Sequence, residues 1–320
     1  MKKLEKLFKY KDILNYLKDS EIRNVRTLDS VWRSGNTILL LDVRNGKGDL
    51  KYVFKALENP DHITEIKQIK LLSDLYHNFM PNIHCIDNEA ILMDYIDGNN
   101  MFSIFKKGNS SQISKDLGLI GSSLSDNYQL HDINNKYSNG LRQIDFTLNH
   151  YGKKCLKNNI INSNDLINLE KKLKNWEPIL KQYPSQIVHN DLNIANVILR
   201  GNNVTAIDPE FDDSYTNDVA KDIGRFSASL FFNSYDYYLK SWSNSMGFLD
   251  SFYSSFSKNY NKDDNFDKRV AFYIAQSSLS FSNFKTNGNL NAGDFLKTSF
   301  HLFSKDPTKI DFEDLYGGVN

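Results

Sequence analysis

The chain has 320 residues, which at about 150 per domain points to two domains or one large one. Its 39 basic residues balance 39 acidic ones, so nucleic acid is not expected as its main partner, because phosphate binding needs a basic excess or a basic face. The 21 Phe, 17 Tyr and 3 Trp supply ample surface to bury, and 6 Pro with 16 Gly exclude collagen-like and low-complexity chains. Cys85 and Cys155 are too few for a disulfide framework or a cysteine zinc site. The seven histidines include no pair at the HExxH spacing. The first 19 residues, MKKLEKLFKYKDILNYLKD, are interrupted by charge throughout and do not read as a signal peptide. The longest apolar runs, such as Ile38–Leu41, are far shorter than a membrane span. A soluble, cytoplasmic chain with no membrane partner is expected.

Leu4, Leu7, Phe8, Ile13, Leu14 and Leu17 recur at helical spacing, predicting a first helix over 3–18. Residues 37–43 and 50–57 are β-rich runs joined by Asn45-Gly46-Lys47-Gly48-Asp49, a hairpin signal in which Asn-Gly supplies positive φ. Ile63, Ile66, Ile69, Leu72 and Leu75 predict a helix over 62–77, and short strands are expected at 82–87 and 90–95. After Asp97-Gly98 most segments read as helices: 112–131, 142–157, 164–181, 219–240, 247–258, 266–284 and 293–303. The β-like interruptions are 186–189, 196–200 and 203–207. The reading is an α+β chain, with a sheet-bearing part over 1–95 and a larger helical part over 96–320.

The chemistry concentrates in His189-Asn190-Asp191-Leu192-Asn193-Ile194-Ala195-Asn196, followed by Ala206-Ile207-Asp208-Pro209-Glu210. Phosphoryl transfer needs one carboxylate beside the hydroxyl nucleophile and oxygen ligands for Mg²⁺ on the nucleotide phosphates. The loop supplies the carboxylate of Asp191 and the amide of Asn196, and a hairpin then returns the chain to a second carboxylate, Asp208.

This segment resembles the catalytic and metal-binding loops of the aminoglycoside phosphotransferase superfamily, the small-molecule branch of the protein-kinase-like fold. The pattern there is H-G-D-x-x-x-x-N, a hairpin, then I-D-W-E or I-D-P-E, and Asp-Pro-Glu-Phe is similar to methylthioribose kinases. Asn190 stands where that pattern has Gly. The resemblance implies a two-lobed fold with an antiparallel-sheet N-lobe and a mainly helical C-lobe, binding ATP (GTP being the alternative donor) and Mg²⁺ between the lobes. It implies Asp191 as the catalytic residue and Asn196 and Asp208 as metal ligands. Lys55, in Tyr52-Val53-Phe54-Lys55, is similar to the phosphate-binding strand lysine, and Glu65 would be its partner. Ile91-Leu92-Met93-Asp94-Tyr95-Ile96-Asp97-Gly98 resembles the last N-lobe strand and hinge, with Met93 behind the base and the Asp94 carbonyl and Ile96 amide on the adenine edge. Ser34, Gly35 and Asn36 are the candidate phosphate-covering loop, although it holds a single glycine. Val219-Ala220-Lys221-Asp222-Ile223-Gly224 resembles the helix start after the metal loop, where Asp222 is expected to cap the helix or to hold the catalytic loop's backbone; His189 is read as structural too.

The implied partner is a small molecule carrying a hydroxyl. Glu210, Asp212, Asp213 and Asp218 follow the metal carboxylate with no basic residue among them, and a negative wall there would favour an amino sugar, a choline-like amine or a thioribose-type sugar. Two other readings stay open: a kinase-fold binding protein of the spore-coat kind, and an atypical protein kinase, against which Asp-Pro-Glu and the lack of a downstream A-P-E count.

Overall fold

The computed structural model describes residues 5, 7–28, 37–57, 63–129, 137–210, 218–234, 242–283 and 292–310. The chain divides into two compact units, residues 1–98 with 205–211, and residues 99–204 with 212–320.

The first unit is built on an antiparallel sheet ordered β1-β2-β3-β5-β4, from β1 (Glu21–Thr27), β2 (Thr37–Asn45), β3 (Gly48–Ala56), β4 (Ile83–Asp87) and β5 (Ala90–Asp94). The side-chain period of two sends Leu39, Leu41 and Val43 of β2 to one face, where they join Phe54 and Leu92 beneath Leu7, Ile13 and Leu17. The other face carries Ile91, packed with Ile66 and Ile69 of α2 (Ile63–Leu75). Lys55 stands opposite Ile91 across β3 and β5, so it shares this second face. The hairpin between β2 and β3 pairs Asn45 with Gly48. Its left-handed residue is Gly48 (φ 117°), not Asn45, whose carboxamide instead accepts the Lys47 N–H at 2.9 Å.

One sequence expectation changes here, and one strand lies where none was expected. The helix expected over 3–18 is interrupted at Tyr10, which is extended (φ −108°, ψ 92°): Glu5 and Leu7 are helical before it, and α1, Lys11–Tyr16, follows it. Leu7 is nonetheless buried with Ile13 and Leu17, so the apolar pattern reported burial across a bent segment. Lacking a side-chain cap of its own, α1 has its Asp12 N–H held by the Asp87 carboxylate at 2.7 Å. The strand β1 had no expectation attached to it: a register shift between Ile22 and Asn24 breaks its alternation, and its side chains are exposed or half-buried.

The second unit is helical: α3 (Met101–Lys107), α4 (Ser110–Gln129), α5 (Leu141–Phe146), α6 (Lys153–Lys157), α7 (Ser163–Lys174), α8 (Glu177–Leu180), α9 (Val219–Ser234), α10 (Trp242–Asn259), α11 (Phe266–Phe281) and α12 (Ala292–Ser304). A π-helical turn, Thr147–Gly152, joins α5 to α6, so the segment expected over 142–157 is helical throughout but not uniformly α. The segment expected over 164–181 breaks after Lys174 and resumes at Glu177. Residues 186–189 form no strand; β8 (Tyr183–Pro184), paired with β7 (Tyr137–Ser138), ends just before them. The hairpin of β9 (Val197–Arg200) and β10 (Asn203–Ala206) is flanked by β6 (Asn99–Asn100).

Close helix packing explains two glycines. A Cβ at Gly224 of α9 would lie 2.6 Å from the Tyr273 Cβ and 2.8 Å from the Val270 carbonyl oxygen of α11. One at Gly121 of α4 would lie 2.3 Å from the Phe252 carbonyl of α10. Among the described residues no helix is long and apolar enough to cross a membrane.

Candidate active site

The loop from His189 to Asn196 enters β9 and owes its shape to its own asparagines and to α9. Asn190, where the pattern this segment resembles has Gly, is left-handed (φ 65°), a conformation asparagine tolerates better than most side chains. Lys221 Nζ donates to its side-chain oxygen at 3.2 Å. The His189 N–H donates to Asp222 at 2.7 Å, and the Tyr128 hydroxyl donates to the same oxygen. Of the two expected roles, capping or holding the loop, the structure shows Asp222 in the second: it holds the loop backbone at His189. Burial pushes the Asp222 carboxyl above its usual range, with His189 and Tyr128 opposing the shift. Asn193 folds the middle of the loop by accepting the Ala195 N–H at 2.9 Å.

Asp191 is held on both oxygens. The Asn196 amide nitrogen donates to Oδ2 at 3.1 Å and to the Asp191 carbonyl at 3.0 Å. The Asn193 amide donates to Oδ1 at 3.3 Å, and the Arg225 guanidinium forms an ion pair with that oxygen. The structure thus brings Asp191 and Asn196 together. Both of these bonds use the Asn196 nitrogen; its side-chain oxygen takes part in neither. Arg225 is missed by sequence reasoning: Lys221 and Arg225, one helical turn apart, read equally as a solvated helix face.

In the first unit, Asp208 follows β10 in a left-handed conformation (φ 60°) and forms an ion pair with Lys55. Four described non-glycine residues have positive φ, and two of them are the candidate-site residues Asn190 and Asp208, a concentration typical of functional loops. Lys55, Met93, Asp208 and Pro209 line a recess with Ile69, Met80 and Pro81. The Asp94 carboxylate is committed locally, to His84 at 2.6 Å and Asn82 at 2.8 Å, which joins β4 to β5 beside the expected hinge. The Ile96 N–H meets no acceptor among the described residues.

Glu65 lies on α2, but its side chain falls outside the described residues, as do Ser34, Gly35, Asn36, Asp212 and Asp213. Glu210 is exposed. Asp218 is a correction: it does not belong to a negative acceptor wall. Its side chain is buried against Arg269, 2.9 Å away, and it accepts the Ala220 N–H at 3.0 Å. The opposite edge of the Arg269 guanidinium is held by Asp263 through two hydrogen bonds of 2.8 and 2.7 Å.

A magnesium ion takes hard oxygen donors and keeps several positions for water or phosphate. The Asp208 carboxylate, 44% exposed, and the Asn196 side-chain oxygen are donors of that kind. Among the described residues no group of three or more His, Cys, Asp or Glu could hold a metal by itself.

No family model and no curated protein matches the chain. Solved structures do. An amicoumacin kinase in complex with AMP-PNP and Ca²⁺ is similar over 95% of this chain and 96% of its own, with 14% identity and a TM-score of 0.56. The aminoglycoside phosphotransferase APH(2'')-Ib, ADP-bound, is similar over 91% and 98%, with 14% identity and a TM-score of 0.54. A choline kinase from Cryptosporidium parvum is similar over 90% and 88%, again at 14% identity and a TM-score of 0.54. The fold is that of the small-molecule kinases. It bears out the architecture that the His189–Glu210 motif implied: an antiparallel five-stranded sheet and a mainly helical C-terminal part.

Proposed function

We propose that the chain is an ATP-dependent kinase that moves the γ-phosphoryl group to a hydroxyl of a small molecule. The observation that carries this reading is Asp191, held on both oxygens by Asn193, Asn196 and Arg225 in a loop tied to α9. A carboxylate so fixed can align an incoming hydroxyl and take its proton as the phosphoryl group is transferred. As the bond from that oxygen to the γ-phosphorus forms, the bond to the bridging oxygen breaks and ADP leaves, with the hydroxyl proton passing to Asp191. Lys55 meets the nucleotide phosphates, Met93 lies behind the base, and the Asp94 carbonyl and Ile96 amide read its edge. Glu65 and the amides of Ser34, Gly35 and Asn36 complete the nucleotide contacts. Asn196 and Asp208 hold Mg²⁺, which supplies charge neutralisation on the phosphates. The sheet-bearing N-lobe is 1–95 and the helical C-lobe 96–320.

The acceptor class is a neutral or cationic alcohol: an amino sugar, a choline-like amine or a thioribose-type sugar. The names of the similar structures support it, since they include kinases of aminoglycosides and of choline. Exposed Glu210, with Asp212 and Asp213 beside it in sequence, supports it too. The test is ADP release from purified protein with Mg²⁺ and a panel of aminoglycosides, amino alcohols and sugars, followed by detection of the phosphorylated product. Transfer to one of these supports the reading. Nucleotide binding without transfer to any acceptor favours a binding protein, and phosphate found only on a protein side chain or on an anionic metabolite refutes the acceptor class.

A further inference from the structure

One face of α9 addresses the catalytic loop at each turn. Lys221 donates to Asn190, Arg225 pairs with Asp191, and Ser229 accepts the Ile194 N–H at 3.2 Å. The spacing of four residues repeats twice, so the three side chains stack along a single stripe. The helix that carries them has little freedom. Gly224 sits against the backbone of α11, and the Phe226 ring packs on Phe252 with centroids 4.5 Å apart. The donors on Asp191 therefore differ in origin. Asn193 and Asn196 belong to the loop itself and move with it, whereas Arg225 ties the carboxylate to a packed helix. The Arg225 and Asp191 side chains are 21% and 22% exposed, so water screens this pair less than a surface one.

We propose that Arg225 is a positioning residue for phosphoryl transfer, its guanidinium fixing the rotamer of Asp191 relative to α9. The proposal rests on the reading of the chain as a small-molecule kinase with Asp191 at the acceptor hydroxyl. Arginine suits the task because its planar fork directs its donors, where a lysine would supply only a mobile point charge. A carboxylate released from that fork samples other rotamers, and misplacement of a reacting group by about 1 Å costs about 100-fold in rate.

The experiment compares Arg225→Ala, Arg225→Lys and Asp191→Asn with the wild-type protein on an acceptor from the panel. The expected result for Arg225→Ala is a kcat lower by about 10- to 100-fold, with both KM values within about twofold. Arg225→Lys recovers part of the loss. Added guanidinium ion raises the rate of Arg225→Ala and leaves Asp191→Asn unchanged, a rescue that a merely structural role would not show. Should Arg225→Ala fail to fold, Arg225→Gln takes its place with the same expectation for kcat. An unchanged kcat overturns the proposal. So does a raised acceptor KM at wild-type kcat, which would make Arg225 an acceptor contact. Those outcomes leave the kinase reading standing; a wild-type protein that transfers phosphate to no acceptor removes both.

Discussion

Lys55 and Asp208, 153 residues apart in the chain, share an ion pair whose two ends differ in exposure: the lysine side chain is 4% exposed and the carboxylate 44%. That asymmetry predicts unequal effects of removing either partner. Lys55→Met replaces a buried ammonium by an apolar side chain of similar length opposite Ile91, and leaves a carboxylate that water can solvate. Its unfolding free energy is expected to stay at the wild-type value or rise. Asp208→Ala leaves the buried ammonium without this carboxylate and is expected to lower stability by about 1–3 kcal/mol. Urea unfolding of the two variants checks the order; equal losses would mean that the pair is solvated like a surface one.

The proposed division of labour between the two carboxylates gives a second prediction. Asp191→Asn is expected to reduce turnover by about 10²–10⁴-fold while nucleotide affinity is kept. Titration with a fluorescent ATP analogue alongside initial rates separates the two quantities. Near-normal turnover in this variant would remove Asp191 from the reaction.

Asp208→Asn acts on the other quantity. With one hard, charged oxygen ligand lost, the affinity for nucleotide in the presence of Mg²⁺ is expected to fall, and Asn196→Ala to lower it less, because its amide oxygen carries no charge. Calorimetry with and without Mg²⁺ reads this directly. Nucleotide affinity indifferent to Mg²⁺ and to both substitutions would make the two residues structural.

Much of this site was legible because its residues are close in sequence. His189, Asp191, Asn196 and Asp208 lie within twenty positions, and their order along loop and hairpin is a local property. Asp222 was legible for the same reason, as the start of the following helix. The partner of Asp191 was not. Arg225 reaches the loop only because α9 is seated on α11, and nothing in the arginine itself distinguishes it from one on a solvated helix face. Asp218 misled for the reverse reason. In sequence it belongs to an acidic run, but its charge is cancelled by Arg269, 51 residues on. In the sheet, β2 and β3 announced themselves by alternation and a glycine-rich turn, whereas the bulge in β1 erased the period that would have revealed it.

The Asp218–Arg269–Asp263 arrangement predicts a stability effect with a distinctive pH dependence. Arg269→Met removes the cation from a buried carboxylate and is expected to cost about 3–5 kcal/mol at neutral pH. Burial alone would raise the Asp263 carboxyl, but the Arg269 hydrogen bonds and charge outweigh it and hold this group below the usual carboxylate value. A lowered folded value contributes stability above the unfolded value of about 3.9, and that contribution is lost as pH falls through the folded one. Burial pushes Asp218 the other way even with Arg269 in place. Without the guanidinium it is raised further, and a raised folded value destabilises at neutral pH and is relieved by protonation. Acidification from neutral pH is therefore expected to favour Arg269→Met relative to the wild type. Parallel stability-against-pH curves from urea unfolding would contradict this.

Gly224→Ala sets two known effects against each other. In an unhindered helix interior the change would gain about 1 kcal/mol from helix propensity. Here the new methyl would stand 2.6 Å from the Tyr273 Cβ and 2.8 Å from the Val270 carbonyl oxygen. Neither atom is the end of a flexible side chain, so only a shift of α9 away from α11 relieves the contact. Overpacking of this kind costs about 1–3 kcal/mol, and the net expectation is destabilisation. The shift has a second consequence, because α9 also carries Lys221, Asp222, Arg225 and Ser229 to the catalytic loop. Gly121→Ala is the comparison one helix further out: its methyl would come within 2.3 Å of the Phe252 carbonyl, between α4 and α10, which make none of those four contacts and reach α9 through Tyr128 on Asp222 and Phe252 on Phe226. Both variants are expected to unfold at lower urea concentration than the wild type. At a temperature where both are folded, Gly224→Ala is expected to lose more kcat than Gly121→Ala. Wild-type kcat in Gly224→Ala would show that the loop keeps its geometry without the exact seating of α9.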